Sequence, residues 1–136
     1  MRNIKIKFGD SAGKIWNALN EKGTLEKREL LGAAKINDKD FHIGLGWLVR
    51  EDKIFKENDG YYRLGNTNLD YEIGAVAGTL WKIMDIWGEA DISTMRRLAG
   101  TDEKEIYSAL GWLAREDKIC ENGEQIYSLK QLKINY

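Results

Sequence analysis

Nine consecutive residues, Gly46-Trp47-Leu48-Val49-Arg50-Glu51-Asp52-Lys53-Ile54, return 65 positions later as Gly111-Trp112-Leu113-Ala114-Arg115-Glu116-Asp117-Lys118-Ile119, with one change. Without any gap, the same shift places Trp16 on Trp81, Gly23 on Gly88, Leu45 on Leu110, Tyr62 on Tyr127 and Leu64 on Leu129. A fixed period of this length means that one supersecondary unit has been built twice. The 136-residue chain is therefore read as units 1–66 and 67–136, joined at Gly65-Asn66-Thr67-Asn68, the most turn-like stretch between them.

Within the first unit, Ala12, Ile15, Trp16 and Leu19 fall at helical spacing after Asp10 or Ser11 as cap, and Gly23 closes that helix. A second helix covers residues 26–34, with Leu30, Leu31 and Ala34 turned inward. After the turn Lys35-Ile36-Asn37, Asn37 caps a third helix that carries Asp38 and Asp40 at its positive end and Phe41, Leu45 and Leu48 along one side. In the second unit Thr101, Asp102, Glu103 and the Ile106, Leu110, Leu113 stripe repeat this. Two short strands follow each third helix, Ile54-Phe55 with residues 61–64, and Ile119-Cys120 with residues 125–129. The turns are Asn58-Asp59-Gly60 and Asn122-Gly123, and the second reads as a two-residue hairpin because Asn-Gly tolerates positive φ at both positions. The alternations Ile4, Ile6, Phe8 and Leu132, Ile134, Tyr136 predict further strands at the two ends. Three helices and a hairpin in each unit give an α+β, mainly helical fold class, a tandem duplicated winged helix-turn-helix.

Several function classes lose support from composition. With no proline, 43% hydrophobic residues and five tryptophans, the chain should be ordered and well cored, and burial is the expected role of the tryptophans. Neither a signal-peptide apolar run nor a stretch of ~18 apolar residues is present, so a cytoplasmic protein without a membrane partner is expected. The lone cysteine, Cys120, reads as a small buried residue. His42 and Cys120 lie in different units and cannot build a metal site, and no cofactor is expected. The position matching His42 is Tyr107, which speaks against a catalytic base. Glu51-Asp52 and Glu116-Asp117 read as solvated or lysine-paired acids. Gly44 and Gly46 sit inside a helix rather than in a phosphate-cradling loop. A non-enzymatic binding protein is the expectation.

The run Ala109-Leu110-Gly111-Trp112-Leu113-Ala114-Arg115-Glu116-Asp117-Lys118-Ile119, with Ala77-Gly78-Thr79-Leu80-Trp81 upstream, resembles a family of small bacterial and archaeal winged helix-turn-helix proteins without an assigned function. The resemblance covers most of both units and implies the fold, together with a generic expectation of DNA binding.

Opposite the apolar stripe of the first unit's third helix lie Lys39, Ile43, Gly46 and Arg50; the second unit has Lys104, Ser108, Gly111 and Arg115 there. Glycine in a helix interior costs ~1 kcal/mol relative to alanine, so its recurrence marks Ile43, Gly46, Gly111 and Arg115 as a close-approach face. A DNA backbone, another protein's helix, or room for Trp47, Trp112 or the neighbouring repeat would each account for it. The overall charge of −1 divides into +3 over residues 1–66 and −4 over residues 67–136. Lys53, Lys56 and Arg63 enrich the first wing in positive charge, whereas Glu121 and Glu124 flank the second. Lys39, Arg50, Lys53, Lys56 and Arg63 are therefore the candidate nucleic-acid contacts, with double-stranded DNA on the first unit and a protein partner on the second. Asp38, Asp40, Asp102, Glu103 and Glu105 oppose phosphate at the helix ends that usually enter the groove. A transcriptional regulator with two winged helices in place of a dimer is the leading expectation, and a protein-interaction adaptor is the alternative.

Overall fold

The computed structural model describes residues 4–130. The first unit runs α1 (Lys5–Lys22), β1 (Leu25–Glu26), α2 (Lys27–Ala34), α3 (Asp38–Arg50), β2 (Ile54–Lys56) and β3 (Tyr61–Leu64). The second repeats this order as α4 (Asp70–Trp87), β4 (Ala90–Asp91), α5 (Ile92–Ala99), α6 (Glu103–Arg115), β5 (Ile119–Gly123) and β6 (Ile126–Leu129). Each unit closes a three-stranded antiparallel sheet, ordered β1-β3-β2 in one and β4-β6-β5 in the other. The two-residue strands β1 and β4 bring the start of the second helix of each unit onto its wing, with Leu25 opposite Tyr62 and Ala90 opposite Tyr127.

Local chemistry explains the helix starts. Asn37 accepts a 2.8 Å hydrogen bond from the Asp40 amide, and Asp102 accepts one of 3.0 Å from Glu105. Glu26 and Glu29 form a reciprocal capping box on α2. Between the second and third helices the chain reverses through a left-handed residue, Lys35 at φ 57° in one unit and Gly100 at φ 67° in the other.

Three expectations are corrected. The first helix starts at Lys5, so Ile4, Ile6 and Phe8 form no strand and neither Asp10 nor Ser11 is its cap. Ile4 and Phe8, four apart, are buried, whereas Ile6 between them is 81% exposed, a helical and not an alternating pattern. Asn122-Gly123 is not the hairpin tip. It lies within β5 at a register shift between Glu121 and Gly123, and the turn falls on Glu124-Gln125, with Gln125 at φ 57° and its amide donating to the Glu121 carboxylate. Trp81 and Trp87 are exposed rather than buried. The suggested strand at Leu132, Ile134 and Tyr136 lies outside the described residues.

The two hydrophobic cores interlock. Ile4 and Phe8 from α1 and Ile43 from α3 belong to the second unit's core, while Leu69 and Ile73 pack against the first unit's core. Trp47 and Trp112 border both. The most extensive contact between any two elements is α3 against α6.

Candidate functional site

Helices α3 and α6 meet at their glycines. A Cβ added at Gly46 would overlap the Ser108 carbonyl, lying 2.6 Å from its carbon; one added at Gly111 would overlap the Ile43 carbonyl, 2.8 Å from that carbon. The backbones touch, and only residues without a side chain fit there. A second pair of glycines serves the same seam, because the indole edges of Trp47 and Trp112 lie 3.2 Å from where Cβ atoms would stand on Gly9 and Gly74.

Polar contacts at the seam's end obey the same pseudo-twofold relation. Arg50 Nε donates to Glu116 Oε2 at 3.1 Å, and Arg115 Nε donates to Glu51 Oε2 at 2.9 Å. Each guanidinium also lies over the other unit's tryptophan, Arg50 5.5 Å from the Trp112 ring and Arg115 5.8 Å from that of Trp47. Partly exposed ion pairs of this kind contribute less than ~1 kcal/mol each, so they set the register of a seam held mainly by Ile43, the tryptophans and the close backbone approach.

The sequence-derived residues fall in two places. Ile43, Gly46, Gly111 and Arg115 are all at the seam, where the surface each approaches is the sibling unit. Arg50 is there too, and Lys39 lies 6.0 Å from the Tyr107 ring. Lys53, Lys56 and Arg63 belong to the first wing region. Lys53 pairs with Glu51 at 3.6 Å and Arg63 with Glu57 at 2.7 Å, while Lys56 extends over the Tyr62 ring.

His42 occupies a buried corner beside this seam. Its Nε2 accepts a hydrogen bond from Lys27 Nζ at 3.1 Å, which leaves the ring proton on Nδ1, and Lys27 is also ion-paired with Asp38. Burial, reinforced by the Lys27 ammonium, pushes the imidazole down from 6.5 to about 4. Because the unfolded chain takes up this proton first, the contribution is complete above pH ~6.5 and is lost as pH falls towards 4. Between pH 7.5 and 5.0 the protein should lose about 2 kcal/mol through this group. Urea titrations at the two pH values check it: His42→Gln should show a correspondingly smaller loss, and equal losses in the two proteins would refute the assignment.

A surface overlooked in the sequence lies on the outer side of α4. Tyr71, Ile86 and Trp87 are 86%, 76% and 63% exposed, and Trp81 is 39% exposed. At the matching positions α1 has the charged Glu21 and Lys22 against Ile86 and Trp87, whereas Tyr71 and Trp81 match the exposed Ile6 and the half-buried Trp16. Ala75 and Thr79 likewise stand where α1 has the Asp10–Lys14 ion pair. Position-by-position comparison of the two copies carries this signal, and periodicity alone does not. Among the described residues no cluster of His, Cys, Asp or Glu is arranged to hold a metal ion, and no helix is long and apolar enough to cross a membrane.

Comparison with known proteins fits this duplicated architecture. The winged helix-turn-helix domain (DUF2582) matches residues 1–64 and again residues 69–131. The uncharacterized protein MJ1608 of Methanocaldococcus jannaschii is 38% identical over 61 residues, which are 43% of this chain and 87% of that protein. One unit's length thus accounts for nearly all of that relative. No solved structure matches the chain. Matched through both of its units, the chain belongs to the winged helix-turn-helix domain (DUF2582) family.

Proposed function

We propose that this protein is a non-enzymatic interaction module whose two winged helices form an internally paired scaffold that presents the outer face of α4 to a partner protein. The observation that carries the reading is the replacement of charged α1 positions by apolar ones on α4, Glu21 and Lys22 in one copy against Ile86 and Trp87 in the other. Exposed large apolar side chains of this kind are enriched where proteins associate. Asp70, Glu72, Asp85 and Glu89 stand near these residues against one lysine, Lys82, in the acidic half of the chain, so the fitting partner has an apolar surface with an excess of lysine or arginine around it.

Double-stranded DNA is the second reading, favoured by Lys53, Lys56 and Arg63 in the first wing region. Groove insertion by a third helix is opposed by the packing of α3 on α6, which covers Ile43, Gly46 and Gly111. DNA contact without separation of the units would therefore fall to the wing.

The test compares the intact chain with Ile86→Glu/Trp87→Lys, which installs the residues of α1. A partner retained by the intact chain, at least tenfold less by the variant and released by salt supports the reading. Retention that ignores the substitutions overturns it. So does concentration-dependent self-association through this face in analytical ultracentrifugation, which would make the occupant a second copy. Selective retention of genomic DNA fragments with a negative salt slope, reduced by Lys56→Ala/Arg63→Ala, would put the DNA reading ahead.

A further inference from the structure

A cavity of about 190 Å³ opens on one side of the seam, between α3, the first wing, the start of α4 and α6. Leu45, Tyr62, Leu69 and Ile73 give it an apolar interior, and His42 and Ser108 line it as well. Four exposed charges stand among its lining residues, Lys56 and Lys104 against Glu72 and Glu105.

The other side of the pseudo-twofold shows how this space is closed. Ile4, Phe8 and Ile43 stand in the places of Leu69, Ile73 and Ser108, and all three are buried within the second unit's core. Tyr107, in the place of His42, is held between Glu103 and Gln125. The cavity therefore arises from specific exchanges, Phe8 against Ile73 and Ile43 against Ser108, within one repeated architecture. An apolar recess open to solvent leaves its lining in contact with water, so an occupant that covers Leu45, Leu69 and Ile73 gains the driving force of removing that apolar surface from water.

We propose that this cavity binds a free α-amino acid with an apolar side chain of leucine to phenylalanine size. An apolar cavity of ~150 Å³ accommodates a benzene ring, so the volume suits one ring or one branched chain. The charges specify the rest. Among the described residues Lys56, Lys104, Glu72 and Glu105 take part in no ion pair, and the Lys56 ammonium lies 5.8 Å from the Tyr62 ring within the cavity lining. Charges of both signs around an apolar interior fit a ligand with both a carboxylate and an ammonium, the first meeting lysine and the second glutamate. Because residues from both units line the cavity, the ligand would bind and tighten the seam itself, independently of any partner on α4.

Calorimetric titration of the full chain with L-phenylalanine and L-leucine, alongside 3-phenylpropanoate and phenethylamine, tests this. At least one amino acid should bind at a single saturable site, with each half-charged analogue at least tenfold weaker. Ile73→Phe/Ser108→Ile, which imports the residues that fill the opposite side, should reduce binding at least tenfold. Should that variant fail to fold, Glu72→Gln/Glu105→Gln decides: it should weaken the amino acid about tenfold and leave 3-phenylpropanoate unaffected. The proposal is overturned if neither amino acid binds, if filling the cavity leaves binding unchanged, if the glutamine pair leaves amino-acid binding unchanged, or if 3-phenylpropanoate binds as tightly as phenylalanine.

Discussion

Gly46→Leu is expected to lower the melting temperature by about 10 °C or more, an effect of at least ~3 kcal/mol at this chain length. Helix propensity alone predicts the opposite sign, since leucine is favoured over glycine by up to ~1 kcal/mol. The loss comes from the seam: the first side-chain carbon already overlaps the Ser108 carbonyl, and backbone cannot rotate aside as a flexible side chain can. Gly111→Leu meets the Ile43 carbonyl in the same way and should behave alike. Gly32 supplies the control. It lies within α2 with open space around its Cβ direction, so Gly32→Ala should stabilise by a few tenths to 1 kcal/mol. Thermal melts followed by circular dichroism read all three, and a Gly46→Leu protein as stable as the parent would show that the seam is not the close contact described.

Separating the units should have a comparably large effect. Residues 1–66 expressed alone would expose Ile4, Phe8 and Ile43, which lie in the second unit's core, and residues 67–136 would leave that core without them. A unit of ~65 residues is marginal even with its core complete. The intact chain should therefore unfold in one cooperative transition. Each half should be partly unfolded or self-associated, and mixing them should restore ordered structure as a one-to-one complex. Ultracentrifugation and chemical-shift dispersion distinguish these states. Two stable monomeric halves that ignore each other would contradict the shared core.

The helices and wings were legible where local chemistry determines them. Asn37 and Asp102 announce the third helices, and apolar spacing along Phe41, Leu45 and Leu48 identifies an inward face. Failures occurred where burial depends on the other unit. Ile4 and Phe8 look like alternate strand positions until the sibling core that covers them is in view, and Ile6 then proves to point away. Gly46 and Gly111 signalled a close approach, but no local pattern says what approaches. Strands β1 and β4 are too short for a periodicity to register, and at Asn122-Gly123 a bulge moved the turn two residues onward despite a strong hairpin dipeptide. The exposed face of α4 was legible in the repeat alignment, position against position, although not in the helix by itself.

The segment joining the units is fastened rather than free. Asp52, at φ 60°, accepts hydrogen bonds from the Thr67 amide and the Asn66 side chain, which hold its carboxyl below the usual carboxylate range. Asn68 exchanges two further bonds with the Lys56 backbone. Proteases cut connectors that can detach and thread extended into a cleft, and this one is sewn to the first wing along its length. Cleavage between the units therefore requires these bonds to the first unit to open before the connector can extend.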